Sequence, residues 1–243
     1  MSDASIRTDG RGPADLRPLK VEMGYLDWAE GSALLEMGKT RVLVSASYEP
    51  KVPRWLQGTG SGWVTAEYSM LPRATSVRTP REVQSGRPSG RTQEIQRLVG
   101  RSLRAVTALE EMGECTVWID CDVIQADGGT RTASITAGYL ALAQALGRLE
   151  EAGSVPSGVL TDSVAAVSVG IVEDELLLDL NYEEDARAEV DFNVVMTGSG
   201  SLVEVQGTAE GRAFTHDQLD ALVKLASDGI GQLTEFQRQT LTD

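Results

Sequence analysis

The chain has 243 residues, 41% of them hydrophobic, and a formal net charge of −14, enough for one compact domain or two small repeats sharing a core. No apolar run reaches the length of a membrane span, and Met1–Gly12 is polar without a signal-peptide apolar region, so the expected location is the cytoplasm. An acidic balance ordinarily argues against nucleic acid as a partner, but the charge here is uneven. Eight arginines and no lysine lie between Arg73 and Arg104 against two glutamates, so this stretch is +6 and the remainder −20. Arginine without lysine is the bias expected where planar, bidentate contacts to phosphate or carboxylate are made. Arg97, Arg101 and Arg104 read as the solvated face of a helix, which leaves the loop arginines as the functional candidates.

In chain order, Ala33–Glu49 predicts a hairpin turning at Gly38-Lys39, with Ala33, Leu35 and Met37 alternating before the turn and Val42, Val44 and Ala46 after it. Residues 50–62 read as loop and Trp63–Tyr68 as a short strand. Arg73–Gly90 has no apolar period, which predicts a long exposed loop of the kind that carries function or an interface. Ile95, Leu98, Val99, Leu103, Val106 and Leu109 share one helical face, a helix expected to end near Gly113.

Thr116–Ala126 alternates as a strand that runs through Asp127-Gly128-Gly129-Thr130-Arg131-Thr132 into the apolar helix Ile135–Leu149. Val164–Val172 with Glu175–Leu180 predicts a second hairpin, Val190–Thr197 and Leu202–Thr208 two more strands, and Thr215 onward a closing helix. The order predicts an α+β, mixed α/β fold in which β-rich units are duplicated and their sheets flanked by helices. A single domain of two pseudo-repeats, roughly 15–112 and 113–243, is the expected organisation.

Cys115 and Cys121 stand roughly 20 Å apart along one strand, too far for a disulfide or a shared metal, and read as free core thiols. The single histidine, His216, follows Thr215, which with Gln218 makes a capping box. Assigning it to a helix start removes Ser-His and Cys-His mechanisms and His-based zinc sites.

The strand-to-helix junction at Gly129-Thr130-Arg131 aims backbone N–H groups, a hydroxyl and a guanidinium at one volume, which suits phosphate. Ser89-Gly90-Arg91-Thr92 opens the earlier helix in the same way. If the repeats pack side by side, both helix starts converge on one anion clamped by Arg91 and Arg131. Six acids lie from Asp179 to Asp191. Glu183, Glu184 and Glu189 read as a solvated turn, whereas Asp179 closes the apolar run Leu176–Leu178, where a carboxylate needs a partner. A turn at Asn181–Glu184 would bring Asp179 and Asp185 together as a two-carboxylate magnesium site for phosphoryl transfer.

These residues sit in long stretches that resemble the ribonuclease PH family of phosphate-dependent 3′ exoribonucleases. The stretches are Arg7–Arg11 with Leu16-Arg17-Pro18, GWVTAEYSMLPRAT from Gly62, SGRTQEIQRLVGRSLRAV from Ser89, CDVIQADGGTRTASITAG from Cys121, LLLDLNYEEDARAEVDFNVVMTGSG from Leu176 and EVQGTAEG from Glu204. The resemblance implies that Arg91, Gly129, Thr130 and Arg131 bind the attacking inorganic phosphate. It also implies that Asp179 and Asp185 hold Mg2+ or act at the scissile bond, and that Arg73, Arg78 and Arg81 belong to a loop for tRNA contact and ring assembly. A homohexamer, a trimer of dimers, trimming the 3′ ends of tRNA precursors, with ribosomal RNA as a second candidate substrate, is the expected form. Released nucleoside diphosphates keep the bond energy, so the reverse nucleotidyltransferase reaction is expected too. Gln57 and Ser61 depart from the family pattern and remove charge or reach from an RNA-facing loop. A non-catalytic RNA-binding ring subunit and a phosphate-handling enzyme with a small substrate are the alternatives. The two intact sites argue against the first and the arginine-rich segment against the second.

Overall fold

The computed structural model describes residues 7–242, apart from the side chains of Val83 and Ser85. Residues 1–6 of the polar N-terminal stretch lie outside these. The strands β1 (Leu19–Met23), β2 (Gly31–Met37), β3 (Thr40–Glu49), β4 (Trp63–Met70) and β5 (Thr116–Gln125) form one sheet in the order β1-β2-β3-β5-β4. The pair β4 and β5 is parallel, joined through helix α1 (Gly90–Arg104); the other pairs are antiparallel. The β2–β3 hairpin turns at Gly38-Lys39 with Met37 opposite Thr40, as its alternation predicts. The short β1 has no counterpart in the sequence reading. Only Leu19, Val21 and Met23 alternate there, and none is fully buried.

A second, antiparallel sheet orders β6 (Val164–Val172), β7 (Glu175–Leu178), β8 (Val190–Thr197) and β9 (Leu202–Ala209) as β7-β6-β8-β9. Between β7 and β8 lies the single turn α3 (Tyr182–Asp185), and α4 (His216–Thr242) closes the chain. Thr215 and Gln218 form the expected box at its start. The Thr215 N–H donates to Gln218 Oε1 at 2.9 Å and the Gln218 N–H to Thr215 Oγ1 at 3.2 Å. The mixed α/β class expected from sequence is therefore the one that forms.

Helix α2 (Thr130–Glu151) packs against strands of both sheets and against α1 and α4. That position explains its composition: Ile135, Leu142 and Leu146 are buried on one side of the helix and Leu140 on nearly the opposite one, so it carries no wide polar face. Each such side chain contributes about 1.5–3 kcal/mol on burial. One apolar cluster runs from Leu35, Val44 and Ile119 through α2 to Val167, Val194 and Leu233, crossing both sheets. The division between sheets does not fall at 112/113, because β5 sits inside the first sheet between β3 and β4.

Helix α1 ends at Arg104 rather than near Gly113. Thr107 bridges to Leu160, and the Ala108 N–H donates to the Val159 carbonyl at 2.8 Å, so the chain after Arg104 is drawn into extended pairing. Arg97 and Arg101 are exposed on α1, as their spacing suggests, whereas Arg104 is half-buried. Arg104 lies over the Trp63 ring at 4.3 Å and donates to the Val64 carbonyl, and Arg101 pairs with Glu204 of β9. Cys115 and Cys121 are free and buried, as expected.

Candidate active site

The end of β5 and the start of α2 form the phosphate-type junction. Gly128 and Gly129 take positive φ values of 78° and 64°. Gly129 is the N-cap of α2 and no side chain caps the helix there, so its first N–H groups open onto a cavity of about 590 Å³. A Cβ at Gly128 would stand 2.5 Å from the Leu180 carbonyl oxygen, which shows how closely this turn packs against the segment leading to α3. Tyr68 of β4 donates to Thr130 Oγ1 at 2.8 Å, and burial pushes the phenol's pKa up, so it stays protonated and fixes that hydroxyl.

Arg91, Gly129, Thr130 and Arg131 line this one cavity, so the two helix starts do converge. They are not equivalent. The N-terminus of α1 is capped: Ser89 Oγ accepts from the Thr92 N–H at 3.2 Å, and Glu82 accepts from the Thr92 hydroxyl at 2.7 Å. The Thr92 hydroxyl holds the Glu82 carboxyl below its usual range, so its negative charge persists. α1 therefore presents its Arg91 side chain to the cavity, and α2 presents backbone and side chains. Arg131 is held from behind by Gln206 Oε1 at 2.8 Å, while Gln206 donates to Glu94 at 2.6 Å.

Carboxylates form the facing wall. Asp185, at the end of α3, and Asp191, in β8, both line the cavity together with Asn193 and Glu210. Asp185 is exposed on one side, and partial desolvation by the cavity still raises its carboxyl above its ordinary pKa, against the opposing pull of Arg91, Arg131 and Arg17. Asp191 is raised by burial and then by Asp185 and Glu210, so these acids sense one another. Asp191 and Asn193 were absent from the sequence-derived site. The signal available was the six-residue step from Asp185 to Asp191, equal to that from Asp179 to Asp185.

The structure does not bring Asp179 and Asp185 to one opening. Asp179 is fully buried, with φ at +54°, and is not part of the cavity lining. Its main partner is Arg17, whose Nε and Nη2 donate to its two carboxylate oxygens at 2.9 and 2.7 Å, and Arg11 Nη1 stands 3.7 Å from one of them. Glu184 is likewise no part of a solvated turn. It is buried, pairs with Arg7 at 2.9 Å, and completes a capping box with Asn181 at the start of α3. Glu183 is exposed, as expected.

Among the described residues, no group of three or more His, Cys, Asp or Glu side chains is arranged to hold a metal ion. Two carboxylates suffice for magnesium, which keeps several waters and takes further oxygens from bound phosphates. The pair Asp185 and Asp191 has that chemistry; Asp179, saturated by Arg17, does not.

Arg73, Arg78 and Arg81 are exposed in the segment between β4 and α1, which holds one 3-10 turn at Glu82–Ser85. Arg81 lines a second cavity that shares Met70, Thr75 and Arg91 with the first. Gln57 is exposed in the loop before β4 and Ser61 is partly so.

Residues 15–146 match domain 1 of the 3′ exoribonuclease family, and residues 162–229 match its domain 2. The chain belongs to the 3′ exoribonuclease family. It is 60% identical to ribonuclease PH of Moorella thermoacetica over 238 residues, 98% of this chain and 95% of that one. It is 55% identical to ribonuclease PH of Bacillus subtilis over 239 residues, 98% of each. Rice Rrp46 has the same fold, with a TM-score of 0.81 at 21% identity over 98% of this chain and all of that one. The Archaeoglobus fulgidus exosome with RNA bound to the active site gives 0.78 at 23% identity over 94% and 91%. In this exoribonuclease the family's first domain ends within α2 and its second begins just before β6, so the cavity draws on both.

Proposed function

We propose that this chain is a phosphorolytic 3′→5′ exoribonuclease that trims 3′ nucleotides from tRNA precursors, with inorganic phosphate as co-substrate. The observation that carries the reading is one cavity with a cationic wall of Arg91, Arg131 and the α2 N-terminus facing an acidic wall of Asp185 and Asp191. Phosphate bound on the first wall is already anionic near neutral pH, so no side chain has to generate the nucleophile. A phosphate oxygen attacks the terminal phosphodiester phosphorus, the bond to the 3′ oxygen breaks, and the proton of the attacking monohydrogen phosphate passes to that oxygen. The products are a nucleoside diphosphate and an RNA one residue shorter.

The protein's share is positioning and charge stabilisation. Arg91 and Arg131 orient the nucleophile, and the Thr130 hydroxyl, fixed by Tyr68, adds a hydrogen bond. Asp185 and Asp191 would hold magnesium, which supplies positive charge for the scissile phosphate. Asp179 takes no part in that pair in this reading and supports the site from behind. Arg73, Arg78 and Arg81 contact the RNA backbone outside the cavity. Exposed Trp28, Trp55, Leu202 and Val205 supply apolar surface of the kind that assembly covers, consistent with a hexameric ring. No helix among the described residues is long and apolar enough to cross a membrane, and a cytoplasmic enzyme is the form proposed.

The test is degradation of a 3′-extended, end-labelled tRNA by the purified chain with and without phosphate and magnesium. Diphosphates released only with phosphate are expected. Monophosphates released at the same rate without it would refute phosphorolysis, and no processing under any condition would favour a non-catalytic ring subunit.

A further inference from the structure

The N-terminal segment Arg7–Arg17 runs beneath the cavity and ties its two walls together. Arg7 pairs with Glu184 and donates to the carbonyls of Leu178 and Asp179 at 2.8 and 3.0 Å, on the chain that leads to Asp185. Arg17, 3% exposed, sends Nε and Nη2 to Asp179, while Nη1 donates to the carbonyl of Asp127. Thr40 completes the grip. Its hydroxyl donates to the Gly128 carbonyl at 2.7 Å and accepts from the Asp127 N–H at 3.0 Å. Both carbonyls before the helix start are thereby pinned, which sets the peptide planes that aim the next N–H groups into the cavity. A Cβ on Gly129 would stand 2.9 Å from Arg17 Nη2, so the guanidinium lies directly against this turn.

We infer that Arg17 is a positioning residue for phosphate, acting through the Asp127–Gly129 turn; this rests on the phosphorolytic reading above. Arg17 is not among the residues lining the cavity, and its effect on phosphate is exerted through backbone orientation. Its planar fork is what the geometry requires, because one group must meet a carboxylate along one edge and a carbonyl at the next corner. A lysine ammonium keeps charge for Asp179 but cannot span both.

The experiment compares wild type with Arg17→Lys for the KM of phosphate, the KM of a 3′-extended RNA, kcat at saturating phosphate, and the phosphate concentration that half-maximally raises the melting temperature. The inference predicts a phosphate KM raised about tenfold, an equal displacement of the melting response, and an RNA KM and kcat within about threefold of wild type. Unchanged phosphate affinity in a folded variant overturns it, as does a parallel fall in every parameter with the melting temperature. Should Arg17→Lys fail to fold, Thr40→Val removes the hydroxyl bond to Gly128 and leaves the Arg17–Asp179 pair in place. A phosphate KM raised about threefold supports the inference there, and an unchanged one overturns it. Wild type that ignores phosphate in the RNA assay would instead refute the phosphorolytic reading itself.

Discussion

Arg17 and Asp179 form a buried, two-point ion pair, with guanidinium nitrogens at 2.7 and 2.9 Å from the two carboxylate oxygens and the Arg17 backbone N–H at 2.8 Å from one of them. Removing one member of such a pair strands the other charge in the interior. Asp179→Asn is expected to lower unfolding stability by about 3–5 kcal/mol in urea titrations. Asp185→Asn, at the solvent-open rim, is expected to stay within about 0.5 kcal/mol of wild type while losing activity. Equal stability of the two variants would contradict this division of roles.

Asp191 is pushed toward protonation by burial and by its acidic neighbours Asp185 and Glu210. Replacing it relieves like-charge repulsion that magnesium would otherwise neutralise. Asp191→Asn is therefore expected to melt higher than wild type in chelator, yet to abolish magnesium-dependent turnover. Turnover near wild type would remove Asp191 from the acidic pair.

Arg131 presents its guanidinium to the cavity while Gln206 holds it in place. Loss of a charge-assisted hydrogen bond of about 1.5–3 kcal/mol corresponds to a rise of roughly 10–100-fold in the phosphate KM for Arg131→Ala. The melting temperature without phosphate should change little. A phosphate dependence identical to wild type would refute the assignment.

Arg73, Arg78 and Arg81 are exposed and outside the phosphate junction. Replacing all three by alanine should weaken RNA binding and flatten the plot of log affinity against log salt by about 0.7 for each lost phosphate contact, roughly 2 in total. Phosphate KM is expected to stay unchanged. An unaltered salt slope would place the RNA elsewhere.

Much of this molecule was legible locally. The β2–β3 hairpin follows from alternation about Gly38-Lys39, the start of α4 from Thr215 and Gln218, and the tight turn into α2 from two glycines and a Thr-Arg pair opening an apolar helix. Each depends on neighbours a few residues away, where turn geometry, capping and side-chain period act. The end of α1 was not legible, because a strand-like pairing with Leu160 overrode the helical period.

The acids show the same limit at the centre of the function. By itself the sequence determined that Asp179, Asp185 and Asp191 follow one another at six-residue steps beside a phosphate-type turn. Only the tertiary structure decided which two face the cavity. Asp179 is turned inward at a positive φ and neutralised by Arg17, a residue 162 positions away, while Asp191 projects from β8 onto the same opening as Asp185. A carboxylate's role follows from the charge it meets, and that charge arrives here only when the N-terminal segment packs beneath the junction of the two sheets.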